Sequence, residues 1–210
     1  MNNDLNRLSG LLQDAVERGE YAGASVMVLR KGEEIYYADC GYADVESGVK
    51  IDRTSPHWGE FKAAVTAICA DLAKQMVMDG EGVSKFVTLT VSGADDDAEA
   101  QRIARSIARS MLVKTSWYGT DPNWGRVIAA AGYSGAHVEE AKARISYGGI
   151  VAFDRGTVIA DAGTLAAMKK AMSERAFTVD VDLGLGSGAC TIYTSDLTHQ
   201  YVTINADYTT

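Results

Sequence analysis

Apolar positions along the chain recur in two periods. Leu5, Leu8, Leu12, Ala15 and Val16 fall three and four apart, which predicts a helix over residues 4–18, stopped by Gly19. An apolar run at 24–29, a turn at Arg30-Lys31-Gly32 and a second run at 34–38 predict a hairpin. From Gly41 to Trp58 the chain is irregular and carries Pro56, the main break in the pattern. Phe61, Val65, Ile68, Leu72 and Met76 then mark a long amphipathic helix, ended by Asp79-Gly80-Glu81-Gly82. Val87, Leu89 and Val91 alternate over 86–92 with the period of a half-buried strand.

A further helix carries Ile103, Ile107 and Met111. Asp95, Asp96 and Asp97 precede it, and acids there complement a helix dipole, so they read as a cap and not as a metal site. Residues 114–126 read as loop, leading into a short helix of small residues at 127–131. A strand pair around 143–153 turns at Gly148-Gly149. Leu165, Met168 and Met172 mark another core helix, and two or three strands occupy 177–205. Helices and antiparallel-looking strands mix without a steady βαβ alternation. The fold class is α+β with a mixed β-sheet.

Composition narrows the function classes. A chain of 210 residues removes roughly 70% of its unfolded surface from water, enough for a core without staples. A formal charge of −8, with no Lys/Arg run longer than two, argues against a nucleic-acid binder, which must displace phosphate counterions. Cys40, Cys69 and Cys190 are scattered and form no CxxC pair, so neither a disulfide framework nor a zinc site is expected. The N-terminus lacks the basic start and apolar block of a secretory signal, and no apolar run approaches the ~20 residues of a membrane span. A soluble, cytoplasmic protein is expected.

Local motifs add little by themselves. Ser47 and Lys50 match S-x-x-K, which needs a helix to bring amine and hydroxyl together, but Gly48 and the surrounding loop favour a turn. Gly184, Gly186 and Gly188 lie between two predicted strands, whereas a phosphate-cradling loop leads into a helix, so a hairpin turn is the better reading. His57, His137 and His199 share no ligand spacing.

Longer strings carry more. Asp79-Gly80-Glu81-Gly82 with Lys85-Phe86, Leu112-Val113-Lys114-Thr115, Asp121-Pro122-Asn123-Trp124-Gly125-Arg126, Gly132-Tyr133-Ser134-Gly135, Asp196-Leu197-Thr198 and the closing run 202–210 occur in order. Through them, residues of about 60–210 resemble the C-terminal β-chain part of the bifunctional ornithine acetyltransferase/glutamate N-acetyltransferase family of arginine biosynthesis. The resemblance implies a fold of the DmpA/ornithine acetyltransferase type. Residues 21–44 resemble instead the opening helix and hairpin of β-lactamase-like serine hydrolases, a likeness that stops near Arg53-Thr54. The chain thus reads as chimera-like, with a foreign helix-hairpin at 1–54 and an acetyltransferase domain at 55–210.

The first resemblance implies a ping-pong transfer of acetyl from N-acetylornithine to glutamate, with no metal or organic cofactor. Its nucleophile is a threonine freed by self-cleavage at Ala-Thr-Met, a threonine whose own amine serves as base. This sequence contains no Ala-Thr dipeptide, and the family's oxyanion residues are absent from it too. What carries over is the substrate side: Glu81 for an ammonium, Asn205 and Thr210 as donors to a carboxylate. The expectation is a single uncleaved chain, inactive alone, whose partners are small amino acids (ornithine, N-acetylornithine, glutamate) and not nucleic acid or membrane. The family assembles as an α/β heterotetramer, and for this chain homo-oligomerisation is left open. A serine hydrolase using Ser47 and Lys50, or a non-catalytic scaffold, are the alternatives. Three structural expectations follow. Residues 24–38 join the sheet of residues 86–92. Packing of Phe61, Ile68 and Leu72 fixes Glu81, and Asn205 ends a strand. Glu81, Asn205 and Thr210 converge.

Overall fold

The computed structural model describes residues 2–30, 33–41 and 51–207, which form two compact units, 1–70 and 71–210. No helix among the described residues is long and apolar enough to cross a membrane.

The first unit holds helix α1 (Asn2–Glu17) and strands β1 (Gly23–Arg30) and β2 (Glu33–Gly41). The strands pair antiparallel from Gly23↔Gly41 to Arg30↔Glu33, with a register shift between Val28 and Leu29. They make a two-stranded sheet of their own, so the expected shared ladder with residues 86–92 is not formed. The physical reason lies in α1, which packs on both strands and gives the hairpin's apolar side a partner without a second sheet. A bare hairpin would be marginal in water.

Helix α2 (Trp58–Met78) follows the predicted spacing, yet none of its residues is buried. Phe61, Ile68 and Leu72 are 43%, 60% and 53% exposed, which corrects the expectation that their packing fixes Glu81. A three-four period decides which side chains share a face, not whether another layer covers that face.

The second unit continues through β3 (Phe86–Ala94), α3 (Asp97–Arg109), α4 (Met111–Tyr118) and α5 (Trp124–Gly132). After these come β4 (Arg144–Tyr147), β5 (Ile150–Asp154), β6 (Thr157–Val158) and α6 (Ala162–Ser173). Strands β7 (Ala176–Asp182) and β8 (Gly188–Ser195) and helix α7 (His199–Asp207) complete it. The six strands lie in the order β6-β5-β4-β7-β3-β8. Only β3 and β7 run parallel, so the sheet is mixed and the α+β reading holds.

Register places the core on one face. Val87, Leu89 and Val91 stand opposite Phe177, Val179 and Val181, and Tyr147 and Ile145 continue the row on β4. All are buried, together with Ile103 and Ile107 of α3, Trp117 of α4, Val127 of α5 and Met168 and Met172 of α6. Each such side chain contributes about 1.5–3 kcal/mol by leaving water. The alternate positions Thr88, Thr90, Thr178 and Asp180 remain solvated, as an antiparallel-rich sheet covered on one side requires.

Three predicted elements need correction. Residues 111–118 are helical, because Ser110 closes α3 and its side chain then caps α4 at the Val113 N–H. The glycines at 184–188 do not turn a hairpin. Strands β7 and β8 flank β3, and the connection bonds to the end of β3 through Leu183 N to Ser92 O and Leu185 N to Gly93 O. The third predicted strand after residue 177 is helix α7, whose first turn is capped by Thr198 Oγ1 accepting from the Tyr201 N–H at 3.0 Å.

Candidate substrate site

Two loops meet in the second unit: 79–85, between α2 and β3, and 196–198, between β8 and α7. Asp196, 4% exposed, accepts from the Ser84 N–H at 3.0 Å, the Lys85 N–H at 3.1 Å and, in a short contact, the Ser84 hydroxyl. The Thr198 hydroxyl donates to the Gly82 carbonyl at 2.6 Å. Gly82 has φ +66°, and a Cβ there would stand 2.5 Å from the Tyr201 nitrogen, so only glycine lets the loop reach the end of α7.

Two lysines flank this junction. Lys85 Nζ, on the buried Lys85, donates to the carbonyls of Trp117 at 2.7 Å and Tyr118 at 3.3 Å. Lys114 Nζ donates to the Ser195 carbonyl at 2.5 Å and hydroxyl at 3.2 Å, and to Thr194 Oγ1 at 3.4 Å. Burial pulls both lysines below their ordinary pKa, while the Asp196 charge partly offsets it.

Glu81 and Asn205 lie on the rim of this junction. Asn205 Nδ2 donates to Glu81 Oε2 at 3.3 Å and to the Tyr201 carbonyl at 2.9 Å. The opposite amide orientation would set oxygen against two acceptors, so the network fixes it. Both donors of the amide nitrogen are then engaged, and Asn205 orients Glu81 in place of donating to a ligand carboxylate. Asn205 sits on α7 and not at a strand end, because the capped turn outweighs the strand preference of Tyr201, Val202, Thr203 and Ile204. A cavity of about 650 Å³ opens beside the pair, lined among others by Glu81, Lys114, Tyr193, Asp196 and Tyr201.

Other sequence candidates fall elsewhere. Thr210, Ser47 and Lys50 lie outside the described residues. Arg126 bonds the Leu112 carbonyl at 2.8 Å and Thr115 Oγ1 at 3.4 Å, tying α5 to α4, while Trp124 stacks on Phe153 with ring centres 4.5 Å apart. His137 meets Asp95 at 3.0 Å and Glu139 at 3.3 Å, His57 lies 3.8 Å from Glu60, and His199 stands edge-on to Tyr118. Among the described residues no group of His, Cys, Asp or Glu is arranged to hold a metal. Asp196, Thr198, Lys85 and Lys114 were missed as site residues although all four lie in the strings quoted above. Their shared membership in those strings was the available signal.

Fold and junction together define the class: the chain belongs to the ArgJ family, whose model matches residues 25–210. It is 48% identical over 151 residues to the arginine biosynthesis bifunctional protein ArgJ of Geobacter sulfurreducens, covering 72% of this chain and 38% of that protein. With ArgJ of Syntrophotalea carbinolica the identity is 45% over 196 residues, covering 93% and 46%. The glutamate N-acetyltransferase of Methanosarcina mazei is 41% identical over 154 residues, covering 72% and 39%. The crystal structure of ArgJ from Bacillus halodurans superposes with a TM-score of 0.72 at 36% identity, covering 78% of this chain and 76% of that one. The chain spans less than half the length of these three curated relatives. Because the family match begins at residue 25, inside β1, it takes in most of the hairpin that looked foreign.

Proposed function

We propose that this chain is the substrate-side part of an amino-acid acetyltransferase of arginine biosynthesis, which moves acetyl from N-acetylornithine to glutamate. The observation that carries the reading is the contact between Glu81 and Asn205, 124 positions apart, with Glu81 lining a cavity. Glu81 takes the ammonium of a free amino acid, and Asn205 holds the Glu81 carboxylate in place. Thr210 belongs to the same reading as a donor to the substrate carboxylate. No residue of this sequence is assigned as nucleophile, since the Ala-Thr-Met string is lacking. The purified chain is therefore inactive by itself, and its ligands are small amino acids of the cytoplasm, bound without a cofactor. The serine-hydrolase likeness of residues 21–44, and with it the distinct origin of residues 1–54, rests on the α1-β1-β2 order alone. No contact among the described residues favours hydrolysis.

The test is an NMR titration with ornithine. An exposed ion pair contributes at most about 1 kcal/mol, so affinity on the order of millimolar is expected. The Glu81 and Asn205 signals should move, and Glu81→Gln should abolish the movement. An intact fold in which neither signal moves would refute the site.

A further inference from the structure

The Asp196-Leu197-Thr198 string has no role in the chemistry proposed above, yet it is the most heavily bonded part of the site. We propose that Asp196 and Thr198 are positioning residues that clamp the 79–85 loop to the start of α7 and thereby set the Glu81–Asn205 geometry. The clamp rests on the reading of Glu81 as the ammonium acceptor.

The bonds of Asp196 all go to one place. Its carboxylate takes three donors from Ser84 and Lys85, three and four residues beyond Glu81. An ionised carboxylate offers about four acceptor sites, so it receives three donors without conflict. An asparagine in its place would turn an NH2 toward donors. Such burial is costly for an unpaired charge. Here Lys85, just before β3, and Lys114 on α4 supply the compensating field, and the three bonds of Lys114 also fix Thr194 and Ser195, the residues leading into Asp196.

Thr198 closes the other side. Its hydroxyl donates to Gly82, the neighbour of Glu81, and accepts from Tyr201, one turn before Asn205. Tyr201 in turn accepts from the Asn205 amide. An unbroken path of contacts runs Glu81–Gly82–Thr198–Tyr201–Asn205, and the Glu81–Asn205 bond closes it into a ring. Among the described residues, these contacts set the separation of Glu81 and Asn205. Removing the clamp frees the acid to swing into solvent.

The experiment compares Asp196→Asn, Thr198→Val and, should the first fail to fold, Ser84→Ala with Val127→Ala, a core variant remote from both loops. All are studied below their melting temperatures, with folding checked by circular dichroism. Without ligand, the side-chain NH2 signals of Asn205 should shift in the clamp variants toward their positions in Glu81→Gln, and stay put in Val127→Ala. With ornithine, the clamp variants should bind about tenfold more weakly, while Val127→Ala keeps wild-type affinity. The proposal is overturned if the clamp variants match Val127→Ala in the Asn205 signals. It is overturned equally if all four variants lose affinity in proportion to lost stability. Should wild type bind ornithine no better than Glu81→Gln, the amino-acid site falls, and the ligand-free Asn205 signals still decide the clamp.

Discussion

The two units of this chain are built from similar amounts of apolar periodicity and reach very different degrees of burial. Residues 71–210 pack one face of a six-stranded sheet against four helices, and Trp117, Ile103 and Leu89 are wholly withdrawn from water. The described residues of 1–70 hold α1, β1, β2 and the first part of α2, and among them Ala15 alone counts as buried. Pattern assigns faces; layers bury them. A helix on a hairpin has one interface, whereas α3 of the larger unit packs on β3 and β8 and also against α4 and α5.

Truncating side chains should expose that contrast most strongly. Ile103→Ala in the second unit is expected to lower unfolding free energy by about 2–5 kcal/mol, whereas Leu11→Ala in α1, 64% exposed, should change it by less than about 0.5 kcal/mol. Urea denaturation measures both, and comparable losses would break the comparison. Next in size is Gly82→Ala, where a positive φ and a backbone contact at 2.5 Å act together. Strain of this kind costs on the order of 1–3 kcal/mol. Gly10→Ala in α1, where nothing stands within 4 Å of the added carbon, should instead be neutral or slightly stabilising.

Helix ends sharpen the comparison further. Asp96 caps α3 by accepting from the Glu99 N–H at 2.8 Å, so Asp96→Ala should cost about 1 kcal/mol, read as a fall in melting temperature.

The smallest effect concerns pH. The hydrogen bond to Asp95 first, then the charges of Asp95, Glu139 and Glu99, raise His137 above its ordinary 6.5. A histidine that holds its proton more tightly when folded stabilises fully below that ordinary value. It loses the contribution as pH rises through the raised folded value. The melting temperature of the protein should therefore dip slightly across that window, and Asp95→Asn should flatten the dip. Arg53, paired with Glu34 at 2.9 Å in the first unit, is held above its already high ordinary pKa and should contribute no such slope.

What could be read in advance followed the same division. Strand β3 and helix α6 were legible because their burial is strictly periodic, and the Gly148-Gly149 turn because both residues adopt positive φ, as a two-residue hairpin demands. Helices α4 and α7 were not, since each owes its start to one capping hydroxyl, on Ser110 and Thr198, and local preference for loop or strand hid it. Glu81 and Asn205 were singled out through a family resemblance, and their neighbourhood is what the structure adds. Nothing in the neighbourhood of Asp196 distinguishes a buried carboxylate from a surface one, because its partners lie 111 and 112 residues away. Helix α2 is the counterpart error: its stripe predicts a buried face, and among the described residues none of its side chains is buried.

Strand β3 has β7 on one side and β8 on the other, and both come from the far end of the chain. On a ribosome, therefore, β3 waits unpaired while α3, α4, α5, the β4–β5 hairpin and α6 are made. Loop closure over this distance slows folding and leaves a bare apolar strand for chaperones to guard. The Glu81 loop, which precedes β3 directly, stays unformed for the same interval. The corner where the Glu81 loop meets α7 then forms only after β7 and β8 have been made.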